Sequence, residues 1–167
     1  MTYEYHATPY DISASGFYFT DYDDYQQKAA THVNAYGQPV EEYEIQFIDG
    51  DNPELFKALS VDQTTLETWF DDFERLEFEG AAKAIYLADD RGENINTIKG
   101  KLDDICLYPG TPEQFAEDHL EDTGLIDLIP ENLRYYFDYE LFARDLVMSG
   151  DITGITCMDE NFVVWGG

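Results

Sequence analysis

Basic side chains are scarce. The 167-residue chain has 9 Lys and Arg against 36 Asp and Glu, a formal net charge of −27. A surface this negative is repelled by phosphates, which excludes direct binding to DNA, RNA or anionic lipid. Cysteine is almost missing as well. Cys106 and Cys157 lie far apart and read as buried reduced thiols, not as a disulfide framework. No run of about 18 apolar residues exists, so no membrane span is expected. The opening residues Met1 to His6 lack the basic and apolar regions of a secretory signal, and a cytoplasmic location is the default expectation.

Motifs of catalysis are also missing. His6, His32 and His119 share no metal-ligand spacing with one another or with the cysteines. His119 reads as a surface or boundary residue of an acidic helix. There is no Gly-rich phosphate loop, nucleophile elbow or zincin motif. Residues 49–53 form a turn cluster without the ligand spacing and closing Glu of a calcium loop. Carboxylates are so numerous that no pair stands out as a general acid and base. The chain is therefore read as a non-enzyme with no catalytic residue, no cofactor and no metal site.

What is present is enough apolar matter to fold. The hydrophobic fraction is 44% and the aromatic fraction 16%, above what an acidic disordered segment carries. Nor is the acid confined to a tail. Residues 1–60 have a net charge of −9, residues 61–110 of −7 and residues 111–167 of −11. An even spread over a foldable chain reads as a charged coat on a folded body.

Local pattern gives a mixed secondary structure. Residues 3–8 and 16–20 are short and aromatic, as strands are. Asp21, Asp23 and Asp24 offer an N-cap and an acidic first turn for a helix to about residue 35. Residues 41–48 alternate Glu42, Glu44 and Gln46 with Tyr43, Ile45 and Phe47, a strand with one wet face. Leu66, Trp69, Phe70, Phe73 and Leu76 recur at helical spacing over residues 62–79. Shorter helices are expected over residues 81–88 and 95–107. Thr111, Pro112 and Gln114 predict a capping box opening a helix to Asp122. Another helix follows Pro130 to about Met148, and a terminal hairpin turns around residues 158–161, its apolar end Phe162 to Trp165 read as core in preference to a two-fold contact. The expectation is an α+β fold, an elongated chain of three small domains: residues 1–60 mixed α/β, 61–108 helical, and 109–167 helices plus a hairpin.

Two helices carry ordered acid. Glu67, Asp71 and Glu74 are expected opposite the apolar face of the first, with Arg75 near Asp71. In the second, Glu113, Glu117 and Glu121 recur every four residues beside Asp118 and Asp122. Like charges at this spacing repel, at about 0.2–0.5 kcal/mol per pair. A solvated face, or the coat of a halophilic protein such as a small hydrolase, would account for one stripe, but ordinary solvated helices mix signs. A polyanion mimic accounts for several. Duplex DNA carries one charge per roughly 1.7 Å, so 27 charges match roughly 46 Å of it. Asp21, Asp23, Asp24, Asp89, Asp90, Asp103 and Asp104 complete the candidate set. An acidic regulator of another basic protein, a nucleoid protein or CRISPR effector, is the alternative.

The C-terminal third carries a resemblance. Asp118 to Leu125, Ile129 to Leu133, and the string Asp138-Tyr139-Glu140 with Ala143-Arg144-Asp145-Leu146 resemble the ArdA antirestriction family, and so does Ser149 to Ile152. The resemblance implies an elongated, curved homodimer encoded on a mobile element of a bacterial host. It implies imitation of bent B-form DNA and occupation of the DNA groove of type I restriction–modification enzymes. Within the matched string, Leu133, Phe137 and Leu141 read as a core stripe, and Glu140 and Arg144 as a favourable i,i+4 pair.

Overall fold

Alternating aromatic and polar residues set the first sheet. In the computed structural model, which describes residues 2–166, three strands pair antiparallel. They are β1 (Glu4–Pro9), β2 (Phe17–Phe19) and, beyond helix α1 (Tyr22–Thr31), β3 (Tyr43–Asp49), in the order β2-β1-β3. Tyr5 and Ala7 of central β1 and Tyr43 and Ile45 of β3 are buried, while Glu44 and Gln46 stay in water. This is the period of two expected of a half-buried sheet. The Tyr5 ring stacks on Phe19 at 5.5 Å and meets Phe47 and Phe70 edge-on at 5.5 and 5.1 Å. Much of the aromatic content is core.

Helix α1 is capped as expected, with Asp21 accepting from the Asp24 amide at 2.8 Å. It stops at Thr31, short of residue 35. Asn34 is the reason: its Oδ1 accepts from the amides of Tyr36 and Gln38, a local turn that competes with helix continuation. Helix α2 (Pro53–Ala58) follows the 49–53 turn, with Pro53 at its first position as suits a residue without an N–H. Asn52 is buried there and donates to the carbonyls of Glu74 and Leu76 at 2.9 and 3.2 Å.

The helix expected over residues 62–79 is broken. Helix α3 (Leu66–Thr68) runs into a π-helical turn, Trp69–Phe73, and helix α4 (Phe78–Asp89) starts afresh. Leu66, Trp69 and Phe73 are buried, as their spacing predicts. Helix α5 (Ile95–Ile98) is a single turn, not a helix to residue 107. After a 3-10 turn at Leu102–Asp104 the chain becomes strand β4 (Ile105–Pro109). Pairing with the C-terminal strand overrides the local helical pattern there.

Helix α6 (Pro112–Asp122) has the full capping box, Thr111 accepting from Gln114 and Gln114 from Thr111. Thr111→Ala should cost about 1 kcal/mol, read as a lower urea midpoint. The helix expected from Pro130 to Met148 is two: α7 (Glu131–Arg134) and α8 (Tyr139–Ser149). Asp138 divides them by capping the Leu141 amide at 2.9 Å. Gly150 closes α8 at φ +84°, where an L side chain is strained. Strands β5 (Thr153–Cys157) and β6 (Glu160–Gly166) form the terminal hairpin, and the second sheet has the order β4-β6-β5. Met158 and Asp159, both at positive φ, make its two-residue turn, the geometry that matches strand twist.

Phe162, Val163 and Val164 are buried core residues, Val163 in a cluster with Phe115 and Ile152. Cys157 is buried too, but Cys106 is exposed on β4, against expectation. The α+β class read from the sequence is the observed class. Two compact units result, one through Gly100 and one from Lys101. The junction expected near 60 falls inside the first, where Phe56 of α2 lies 5.9 Å from Tyr5 and 5.2 Å from Trp69 in one aromatic core. The junction expected near 108 falls within β4.

Candidate functional site: exposed carboxylates

Helix α6 turns Phe115, Ala116 and Leu120 to the core and leaves Glu113, Glu117, Asp118, Glu121 and Asp122 exposed. Five carboxylates fall within ten residues. At 1.5 Å rise per residue that is one charge per about 3 Å of axis; one strand of B-DNA carries one per about 3.4 Å. His119 is half-buried and stacks on Phe115 at 5.4 Å. The Tyr108 hydroxyl donates to Asp118, and that bond is the main cause pushing the phenol up to about 12. Asp118 is thus held from beneath.

Glu113 in the first turn suits the helix dipole, but acid at the C-terminal helix ends opposes helix stability. Glu121 and Asp122 end α6, and Asp89 and Asp90 end α4, all exposed. The C-terminus of a helix carries partial negative charge and favours cations. Capping and core packing explain Thr111 and Phe115; neither explains acid at these ends.

In the first unit, Asp21 and Asp23 are exposed, and Asp24 is half-buried against Lys28 at 2.9 Å. Glu67 and Asp71 are exposed, and in the second unit Asp103 and Asp104 are exposed in the 3-10 turn. Neutralising ion pairs join Lys83 to Glu79, Lys99 to Asp72, Arg75 to Glu74 and Arg134 to Asp127. None of these, nor Asp24–Lys28, reaches α6. Arg75 reaches Glu74 and covers the Tyr3 ring at 5.4 Å, not Asp71. No ion pair joins Glu140 to Arg144 among the described residues.

Glu74 is the clear departure. Ideal helical spacing puts it on the wet stripe with Glu67 and Asp71, yet it is 6% exposed. The π-helical turn explains this: its closing bond runs from the Glu74 amide to the Trp69 carbonyl at 2.8 Å, and the extra residue in the turn rotates Glu74 towards the core. Tyr5 donates to its Oε1 at 2.8 Å, and Trp69 Nε1 donates to Tyr5 at 3.0 Å. Burial pushes the Glu74 carboxyl above its usual range, although Tyr5 and Arg75 pull the other way. A carboxyl raised on folding contributes most stability when protonated, and the contribution falls as pH rises through the folded value. Glu74→Gln keeps the acceptor for Tyr5 and removes this loss, so its urea midpoint at neutral pH should equal or exceed the parent's. Glu74→Ala leaves the Tyr5 O–H without its acceptor, with only the bond from Trp69 remaining, and should cost about 1–3 kcal/mol.

The edge strand β3 and the residues leading into it supply acids that the helical stripes did not cover. Glu41, Glu42, Glu44 and Asp49 are exposed there. The alternation of residues 42–46 was the signal, because side chains two apart on a strand share a face at about 6.8 Å. The core stripe expected at Leu133, Phe137 and Leu141 is not one. Leu133 and Leu141 are exposed, Phe137 is half-buried and Ala143 is the buried residue of α8. The break at Asp138 puts α7 and α8 out of helical phase.

Among the described residues, no group of three or more His, Cys, Asp or Glu is placed to hold a metal ion, and no helix is long and apolar enough to cross a membrane. Fold and surface together define a small α+β protein whose distinguishing feature is a dense, largely unneutralised acidic exterior. The sequence profile described as Antirestriction protein (ArdA) matches residues 5–157, and the chain belongs to the ArdA antirestriction family. No curated protein matches it in sequence.

Proposed function

We propose that this antirestriction protein acts as a folded substitute for DNA. Its exposed carboxylates take the place of backbone phosphates in the DNA-binding groove of a type I restriction–modification enzyme, in the cytoplasm of a bacterial host. The observation that carries this reading is α6, where five exposed acids lie at nearly the linear density of a DNA strand, outside the ion pairs described above. Lys and Arg of the groove supply attraction, and ions released from groove and protein supply affinity. A rigid core keeps the ordering cost small. Methylation by the same complex requires the same groove and is inhibited with cleavage.

The protein acts as a homodimer. Eight of the fifteen exposed large hydrophobic residues described lie between Leu125 and Met148. Residues 124–149 also hold Arg134 and Arg144 and carry a net charge of only −3, so this is where a second copy approaches at least electrostatic cost. Competition with labelled duplex for a purified type I enzyme tests the reading. The protein should displace the duplex, and raising the salt should weaken its binding. Binding alongside undisplaced duplex would overturn it.

A further inference from the structure

Four of the seven other exposed large hydrophobic residues sit in two loops: Tyr10, Ile12, Val33 and Tyr36. Hydrogen bonds tie these loops into one unit. Asn34 Nδ2 donates to Asp11 Oδ2 at 2.8 Å, and the Ala35 amide donates to the Ser13 carbonyl at 3.0 Å. Asp11 Oδ1 in turn accepts from the amide and hydroxyl of Ser13 at 2.9 and 2.7 Å. The bonds from Asn34 and Ser13 hold the Asp11 carboxyl below its usual range, so it stays ionised. Ile12 rides on this braced backbone with its side chain fully exposed, at 102%. An aliphatic side chain held in water contributes nothing to folding, and bracing its backbone lowers the ordering cost of using it against a partner.

The surroundings select the partner. Beside Asp11 lies a groove of about 250 Å³ lined also by Pro39, Val40, Glu41 and Glu42. Residues 1–56 contain one Lys or Arg, Lys28, and it is engaged by the Tyr18 carbonyl and Asp24 at 2.7 and 2.9 Å. The charged residues lining the groove, Asp11, Glu41 and Glu42, are all acidic. An anionic lipid surface is repelled, whereas a protein surface with cations around an apolar hollow is complementary in both respects.

We propose that this double loop is a protein-docking anchor: Ile12 enters an apolar socket on the target enzyme, and Lys or Arg at the socket's edge meet Glu41 and Glu42. The inference rests on the reading above and adds selectivity to it. An array of carboxylates suits any duplex-binding groove; an aliphatic knob with an acidic rim has no counterpart in the DNA backbone and discriminates between enzymes.

The test is titration of the DNA-free type I enzyme with the full-length protein and its Ile12→Ser and Ile12→Leu variants, over a roughly tenfold range of salt. Ile12 supports no core, so both variants should fold as the parent does. Loss of the anchor should weaken binding about tenfold or more at every salt concentration, with the salt slope unchanged and Ile12→Leu close to the parent. Equal affinity of Ile12→Ser and parent overturns the anchor and leaves DNA mimicry standing if the salt slope persists. Binding independent of salt but lost in Ile12→Ser overturns mimicry and supports the anchor. No binding by the parent overturns both. A loss seen only on uncharged phosphatidylcholine vesicles would give the loop to a lipid surface and overturn the proposal.

Discussion

Neutralising the α6 stripe is expected to remove most antirestriction activity while making the protein more stable. In the variant, Glu113, Glu117 and Glu121 become Gln, and Asp118 and Asp122 become Asn. Exposed charge pairs contribute about 0.2–1 kcal/mol each. Five together amount to about 1–5 kcal/mol of target binding, roughly fivefold to a few thousandfold in Kd. The slope of affinity against salt should fall with it. Stability should move the opposite way. Repulsion between 113 and 117, 117 and 121, and 118 and 122 is relieved at about 0.2–0.5 kcal/mol per pair, and the helix C-terminus loses two unfavourable charges. The amide oxygen that Asp118→Asn leaves in place would still accept from Tyr108, so the support beneath that position is kept. Inhibition of cleavage and a urea titration on the same preparation measure both effects. A single substitution such as Glu117→Gln should barely register. Were one such change to abolish inhibition, a hot spot would replace the distributed array; full activity of the fivefold variant would remove α6 from the site.

Legibility in the sequence follows the range of the interactions concerned. Caps act within three or four residues, so Asp21, Thr111 and Pro112 mark their helix starts correctly. Strand alternation is also local, and β3 is readable from Glu42 to Phe47. The failures are long-range. Residues 105–107 look helical in isolation but pair with β6, whose residues lie about sixty positions further on. Glu74 looks like part of a wet stripe because an ideal helix places it with Glu67; the π-helical turn, stabilised by Trp69 and Tyr5, moves it inside. Leu133 and Leu141 have core-like spacing only if α7 and α8 are one helix. The α6 stripe itself is legible because cap, apolar face and acid repeat lie within a dozen residues.

Breaking the apolar surface between Leu125 and Met148 is expected to convert the proposed dimer to a monomer. Leu128 and Tyr136 are 79% and 77% exposed, so Leu128→Glu with Tyr136→Glu should leave the fold intact, as a circular-dichroism melt would check. Sedimentation should give the parent twice the 19.2 kDa chain mass and the double variant the chain mass alone. A stable interface buries about 1,200–2,000 Å², and two introduced carboxylates per copy, four across a two-fold contact, are far more costly there than in water. Salt separates this contact from the inhibitory one. Two chains of net charge −27 repel, so screening should tighten the dimer, whereas the same screening loosens the grip of a cationic groove. The monomeric variant should inhibit more weakly than the parent, because one copy offers half the array and loses the gain of simultaneous engagement. A monomeric parent at micromolar concentration, or a double variant that still sediments as a dimer, would rule out this face as the contact.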